Sequence, residues 1–198
     1  MQSDQAIPAA RTRGTLYGHS VLAPRETGTD LDRLRRHRCF GTENRDLDSV
    51  LLSLEEALFL QSELHVLEIE SQELVVDAEA FFRKCCELDP TFPFRYRAYR
   101  HYRLAGWTVR SDSLKFGADF LLYEGRPDEV HADYALILAS EKLLWQDVVM
   151  ASRLASLVAK ELLLVACSPS ESVEVRLSNL NDKGLMEFAV RPWRRHIS

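Results

Sequence analysis

Apolar positions along the chain recur with two periods, near 3.6 and near 2, and the switches between them mark its elements. "SLEEALFL", from Ser53, has the helical period; Ser53 and Glu56 hold the spacing at which a serine caps the first turn and a glutamate three residues on returns the bond. "HVLEIE" alternates instead, with Val66 and Glu68 on one face and Leu67 and Ile69 on the other, which predicts a strand. Asp77 can then cap a second helix in which Ala78, Phe81, Phe82, Cys85 and Leu88 repeat at helical spacing. Pro93 opens a third helix where its missing N–H is harmless, and Gly106 ends it as a left-handed cap.

Beyond Gly106 the pattern predicts strands around 107–110, 116–123 and 131–138, a helix from about Asp147 to Lys160, and strands near 161–167, 173–177 and 186–191. Helices of this length among such strands predict an α/β (α+β) fold with helices packed on a sheet. The stretch before residue 39 is different. From Met1 to about Asp30 it is polar and without periodicity, and a cluster of Arg33, Arg35, Arg36, His37 and Arg38 follows. A flexible tail is expected over 1–38, then a small α/β module over 39–90 ending at Asp89-Pro90, then a larger domain over 91–198. The cationic cluster reads first as a solvated segment, and second as an import signal or RNA-backbone contact.

Composition narrows the function classes. With 198 residues, 46% of them hydrophobic and 28% charged, the chain can bury one substantial core or two small ones. Its formal net charge of −5 supplies no global field for a polyanion, so any nucleic-acid affinity has to come from a local patch. Cys39, Cys85, Cys86 and Cys167 lack chelating spacing and are expected to be reduced thiols in an intracellular protein. No apolar run approaches the roughly 18 to 20 residues that cross a bilayer, and the first residues lack a signal-peptide core. Neither secretion nor a membrane association is expected.

Two places hold candidate chemistry. "FRYRAYRHYRLA" interleaves Arg95, Arg97, Arg100 and Arg103 with Tyr96, Tyr99 and Tyr102 and contains no acid. Such a helix can pair phosphates and stack bases, but the pattern favours tyrosines packed inward and arginines solvated or paired with acids from elsewhere. The second is "YEGRPDEVHADY", a Gly/Pro loop between two apolar segments with Tyr123 at one mouth and His131 at the other. If His131 belongs to the following strand, it shares a face with Asp133 and Ala135, opposite Tyr134, Leu136 and Leu138, and is not a core histidine. In the last helix Arg153, Ser156 and Lys160 fall on one stripe. By pattern alone, Tyr123, His131 and Lys160 are ordinary surface residues.

The run "RYRAYRHYRLAGWTVRSDSLKFGADFLLYEGRPDEVHADYALIL" resembles the catalytic domain of the tRNA-intron (tRNA-splicing) endonuclease family. The family order is an arginine-rich helix, Gly-Trp, Lys-Phe-Gly-x-Asp-Phe, Tyr, a loop and His. "SRLASLVAKELLLV" is similar to the segment that carries the family's lysine, and the likeness extends over about residues 91–193. The chain departs from the usual glycine at Ser113 in "SDSLKFG". The resemblance implies a restriction-endonuclease-like mixed-sheet domain with Tyr123, His131 and Lys160 as catalytic residues and Arg153 and Trp193 as a pair that sandwiches an RNA base. It also implies a precursor tRNA substrate, no metal or other cofactor, and a nuclear or cytoplasmic assembly with sister subunits or with copies of itself. Among eukaryotic members, "AKELLLV" looks most like the subunit assigned to the 5′ splice site.

That chemistry is coherent for RNA, which carries its own nucleophile. Cleavage by 2′-hydroxyl attack needs a base, an acid for the departing 5′-oxygen, and positive charge at the phosphorane. Histidine, with an ordinary pKa of about 6.5, suits the acid; tyrosine, near 10, is a weak base unless cations lie close. Spacing does not order the two roles; the resemblance makes Tyr123 the base and His131 the acid. A metal-dependent nuclease of the restriction type would need a Glu-x-Lys strand, whereas Glu141 and Lys142 are adjacent. A non-catalytic, architectural subunit of the same assembly would be expected to lack part of the trio.

Overall fold

The computed structural model describes residues 11–111, 117–140, 143–157, 160–167, 176–180 and 184–191. The chain divides at Leu88/Asp89 into two compact units.

The first unit is a six-stranded sheet carrying three helices. Its strands are β1 (Thr12–Tyr17), β2 (Ser20–Pro24), β3 (Thr42–Asn44), β4 (Ser49–Ser53), β5 (Leu67–Ser71) and β6 (Leu74–Val76), in the spatial order β3-β4-β2-β1-β5-β6. Only the β1–β5 pair is parallel. The helices are α1 (Asp30–Arg38), α2 (Leu54–Ser62) and α3 (Ala78–Leu88). The capping box forms as the spacing predicts, with the Glu56 N–H donating to Ser53 Oγ and the Ser53 N–H to Glu56 Oε2. Asp77 caps α3 by accepting the Ala80 N–H at 2.7 Å. Each such cap stabilises its helix by about 1 kcal/mol.

Residues 11–38, expected as a tail, instead supply the two central strands β1 and β2 and the helix α1. The reason lies in the face β1 buries. Its buried positions include Thr12 and Gly14, and a Cβ at Gly14 would lie 2.6 Å from Val21 Cγ1. Small and polar residues line the inward side, so apolar alternation does not announce the strand. The arginine cluster is a helix end paired with acids. Arg35 and Arg36 bridge Asp32, and Arg35 also reaches Glu43.

The second unit is a five-stranded sheet of β7 (Thr108–Arg110), β8 (Phe120–Tyr123), β9 (Tyr134–Leu138), β10 (Glu161–Cys167) and β11 (Leu185–Val190), in the order β11-β10-β9-β8-β7. Only β9 and β10 run parallel, which makes the sheet mixed. Helix α4 (Phe92–Leu104) packs on one face, where Tyr99 meets Phe120 at 6.0 Å between centroids. Helix α5 (Trp145–Leu157) covers the other, burying Val148, Ala151 and Ala155 against Leu121, Ala135, Ile137 and Leu162. The predicted α+β class with a mixed C-terminal sheet is what the chain adopts.

Several boundaries differ from expectation. β9 begins at Tyr134, so His131 precedes the strand; α5 ends at Leu157, so Lys160 sits at the mouth of β10 and not on a helix stripe. The strand expected at 173–177 falls mostly outside the described residues, and Leu177–Asn179 forms a 3₁₀ turn.

Candidate active site

Helix α4 resolves the first candidate region. Tyr96, Tyr99 and Tyr102 are buried, as their spacing predicts. Arg95 donates to Asp119 at 2.8 Å and lies over the Phe120 ring. Arg97 contacts Cys167 Sγ. Arg103 is only 2% exposed and donates to the Tyr99 hydroxyl at 2.9 Å and the Val109 carbonyl at 3.3 Å. Tyr102 donates to Glu187 on β11, and burial, followed by this carboxylate, pushes its phenol pKa up. These side chains hold the helix to the sheet.

The second region assembles from three adjacent strands. β8 delivers Tyr123 at its last residue, packed partly against the core beneath α5. The chain then makes the predicted Gly/Pro loop and re-enters as β9. Within the loop the Glu129 and Val130 N–H groups both donate to the Arg126 carbonyl, at 3.0 and 2.9 Å. The Arg126 guanidinium grips Asp128 through two hydrogen bonds, at 3.1 and 2.8 Å, and reaches Glu129 at 3.3 Å. This pairing holds the Asp128 carboxyl below its usual pKa. His131 follows this turn and is exposed.

Lys160 reaches the same end of the sheet by a different route. The parallel β9–β10 pair opens with the Glu161 N–H donating to the Asp133 carbonyl at 3.1 Å, and α5 spans the crossover that parallel strands require. The Lys160 N–H is anchored to the Ala155 carbonyl at 2.9 Å. Its ammonium donates to the carbonyl of Ala132, the residue after His131, at 3.3 Å. Tyr123, His131 and Lys160, separated by 37 positions from first to last, thus lie at the same end of β8, β9 and β10. A phenol, an imidazole and an ammonium there can serve in principle as base, acid and stabilising cation in a transesterification.

Arg153 is exposed on α5. Trp193, expected to pair with it, and Ser113, the departure in the Lys-Phe-Gly segment, lie outside the described residues. Among the described residues no group of three or more His, Cys, Asp or Glu could hold a metal ion. A cavity of about 270 Å³, lined by Thr91, Arg95, Asp119, Ser140 and Asp147 among others, lies at the opposite end of the sheet. Two features of the site escaped the sequence reading: the Arg126–Asp128 clamp and the anchoring of Lys160 on Ala132. The first had a local signal in "RPDE", where a cation precedes acids two and three residues away; the second depends on a long-range strand pairing.

Residues 92–175 match the family "tRNA intron endonuclease, catalytic C-terminal domain". The chain belongs to the tRNA intron endonuclease family. Within it, the similarity includes proteins named as Sen2 subunits. The chain is 32% identical over 176 residues to "tRNA-splicing endonuclease subunit Sen2-1" of Arabidopsis thaliana, covering 81% of this chain and 72% of that protein. It is 31% identical over 145 residues to the Sen2 subunit of Rattus norvegicus, covering 68% of this chain and 31% of that protein. An archaeal "tRNA-splicing endonuclease", from Methanococcus maripaludis, is 32% identical over 125 residues, covering 62% of this chain and 70% of that protein. The chain spans less than half of the rice and rat relatives it matches.

Proposed function

We propose that this chain is a catalytic subunit of a tRNA-splicing endonuclease, cutting an intron-containing precursor tRNA at an exon–intron junction, the 5′ one by the resemblance of "AKELLLV" to the subunit assigned to that site. The RNA's own 2′-hydroxyl attacks the adjacent phosphorus while the bond to the 5′-oxygen breaks. Tyr123 takes the proton from the 2′-hydroxyl, His131 gives one to the departing 5′-oxygen, and the Lys160 ammonium offsets the extra charge on the phosphoryl oxygens. One P–O bond forms and one breaks, leaving a 2′,3′-cyclic phosphate and a 5′-hydroxyl. A phenol is a weak base, and the Lys160 ammonium at the same strand ends is the cation that would favour its ionised form.

The single observation that carries this reading is the hydrogen bond from Lys160 Nζ to the Ala132 carbonyl, which ties the lysine to the backbone beside His131. Arg153 and Trp193 would hold an RNA base between them. The assembly contains sister subunits or a second copy of this chain, because removing an intron takes two cuts at a fixed separation. The edge strand β11, with Met186 and Phe188 exposed, suits such a contact by strand addition.

The test is cleavage of a precursor tRNA in chelator, with a matched substrate carrying a single 2′-deoxy nucleotide at the junction. The expected result is chelator-resistant cutting with cyclic-phosphate ends, and no cut at the deoxy position. Cutting at the deoxy junction would overturn the mechanism.

A further inference from the structure

The neck of the loop between Tyr123 and His131 is closed by a side chain. Asp133, exposed at the entrance to β9, is bonded on three sides. Its N–H donates to the Leu122 carbonyl at 2.9 Å, its own carbonyl accepts the Glu161 N–H at 3.1 Å, and its Oδ2 accepts the Glu124 N–H at 3.1 Å. The first two bonds join β9 to the strands that end in Tyr123 and begin after Lys160, and any residue's backbone can make them. The third cannot come from the backbone. Glu124 is the residue after Tyr123, beyond the last paired position of β8, and its exposed amide takes the Asp133 carboxylate as acceptor in place of a ladder carbonyl or water. The carboxylate also acts over a short lever, because Asp133 is two residues from His131 and next to Ala132, whose carbonyl holds Lys160.

We infer that Asp133 is a positioning residue for the cleavage reaction: by accepting the Glu124 amide it fixes the spread of the loop and so the separation of Tyr123 from His131. The inference rests on the reading of Tyr123 and His131 given above. The role needs an acceptor oxygen at that point and not a negative charge, since the donor is a neutral amide. Asparagine therefore replaces it and alanine does not. Loss of this bond leaves RNA contacts intact but loosens the geometry of base and acid, and a misplacement on the order of 1 Å lowers a rate by about a hundredfold.

The test is steady-state cleavage of an intron-containing precursor tRNA by the full assembly, comparing Asp133→Ala and Asp133→Asn, with Tyr123→Phe and His131→Ala in parallel. For Asp133→Ala we expect kcat to fall by about ten- to a hundredfold with KM unchanged, and Asp133→Asn to restore most of the rate. Asp133→Ala cleaving at the parental rate while His131→Ala is inactive would overturn this inference alone. An asparagine variant as slow as alanine would also overturn it, because charge and not acceptance would then matter. If Tyr123→Phe and His131→Ala both cleave normally, the reading of the trio fails and this inference with it. Should the alanine variant not assemble, Asp133→Ser replaces it: its shorter side chain stops short of the Glu124 amide, so a rate equal to asparagine's would refute the positioning role.

Discussion

The arginine-rich helices and the polar end of the second unit's sheet make opposite use of charge. α1 and α4 hold most of the cationic residues that draw the eye in the sequence, yet the structure turns them inward or pairs them. Arg35 and Arg36 answer Asp32, Arg95 answers Asp119, and Arg103 is buried against Tyr99 and a backbone carbonyl. The ends of β8, β9 and β10 bring Tyr123, His131 and Lys160 to the margins of three adjacent strands and a loop mouth. Abundance of a residue type marks packing here, and the proposed chemistry rests on the convergence of different types.

The comparison breaks if the sparse site is dispensable. His131→Ala should lower cleavage by about 10²- to 10⁴-fold, the span of a general acid, without changing the unfolding midpoint. An α4 substitution should do the reverse. Arg103→Ala removes a buried donor from the Tyr99 hydroxyl and the Val109 carbonyl, and should destabilise the fold by about 3 kcal/mol in chemical denaturation. Any loss of activity should then track the unfolded fraction.

A smaller effect sharpens the point for α1. The Gly28 amide, and after it Arg35 and Arg36, hold the Asp32 carboxyl below its usual pKa, and Arg35 and Arg25 do the same for Glu43. Both groups bind protons more weakly folded than unfolded. Their stabilisation is complete above the ordinary carboxylate range of about 4 and is lost as pH falls through the lower folded values. Denaturation midpoints at pH 7 and pH 3 should therefore converge in an Arg35→Ala, Arg36→Ala variant relative to the parent. The smallest effect is expected at Arg97, where Arg97→Lys should leave the KM for precursor RNA within about twofold, because that cation faces Cys167 and not substrate.

What the sequence disclosed follows the range of the interaction. Ser53 with Glu56, and Asp77 with Ala80, are contacts three residues apart, so the caps were legible, as were the inward tyrosines of α4. β1 was hidden because Thr12 and Gly14 fill positions where apolar residues would have signalled a strand. Lys160 looked like part of a helix stripe because the pattern cannot tell where α5 yields to the β9–β10 pairing that captures the chain at Glu161. The trio emerged only from the ordered motif resemblance. Tyr123 and His131 flank the loop that joins the antiparallel β8–β9 pair, whereas Lys160 joins them through a parallel crossover, which leaves no local periodicity.

The central claim, that His131 donates the proton to the leaving oxygen, is tested most directly with a precursor tRNA whose scissile 5′-oxygen is replaced by sulfur. A thiolate departs without protonation, so the His131→Ala assembly should cut this substrate at a rate close to the parent's while barely cutting the oxygen version. If the sulfur substitution leaves the variant as slow as before, His131 is not the general acid.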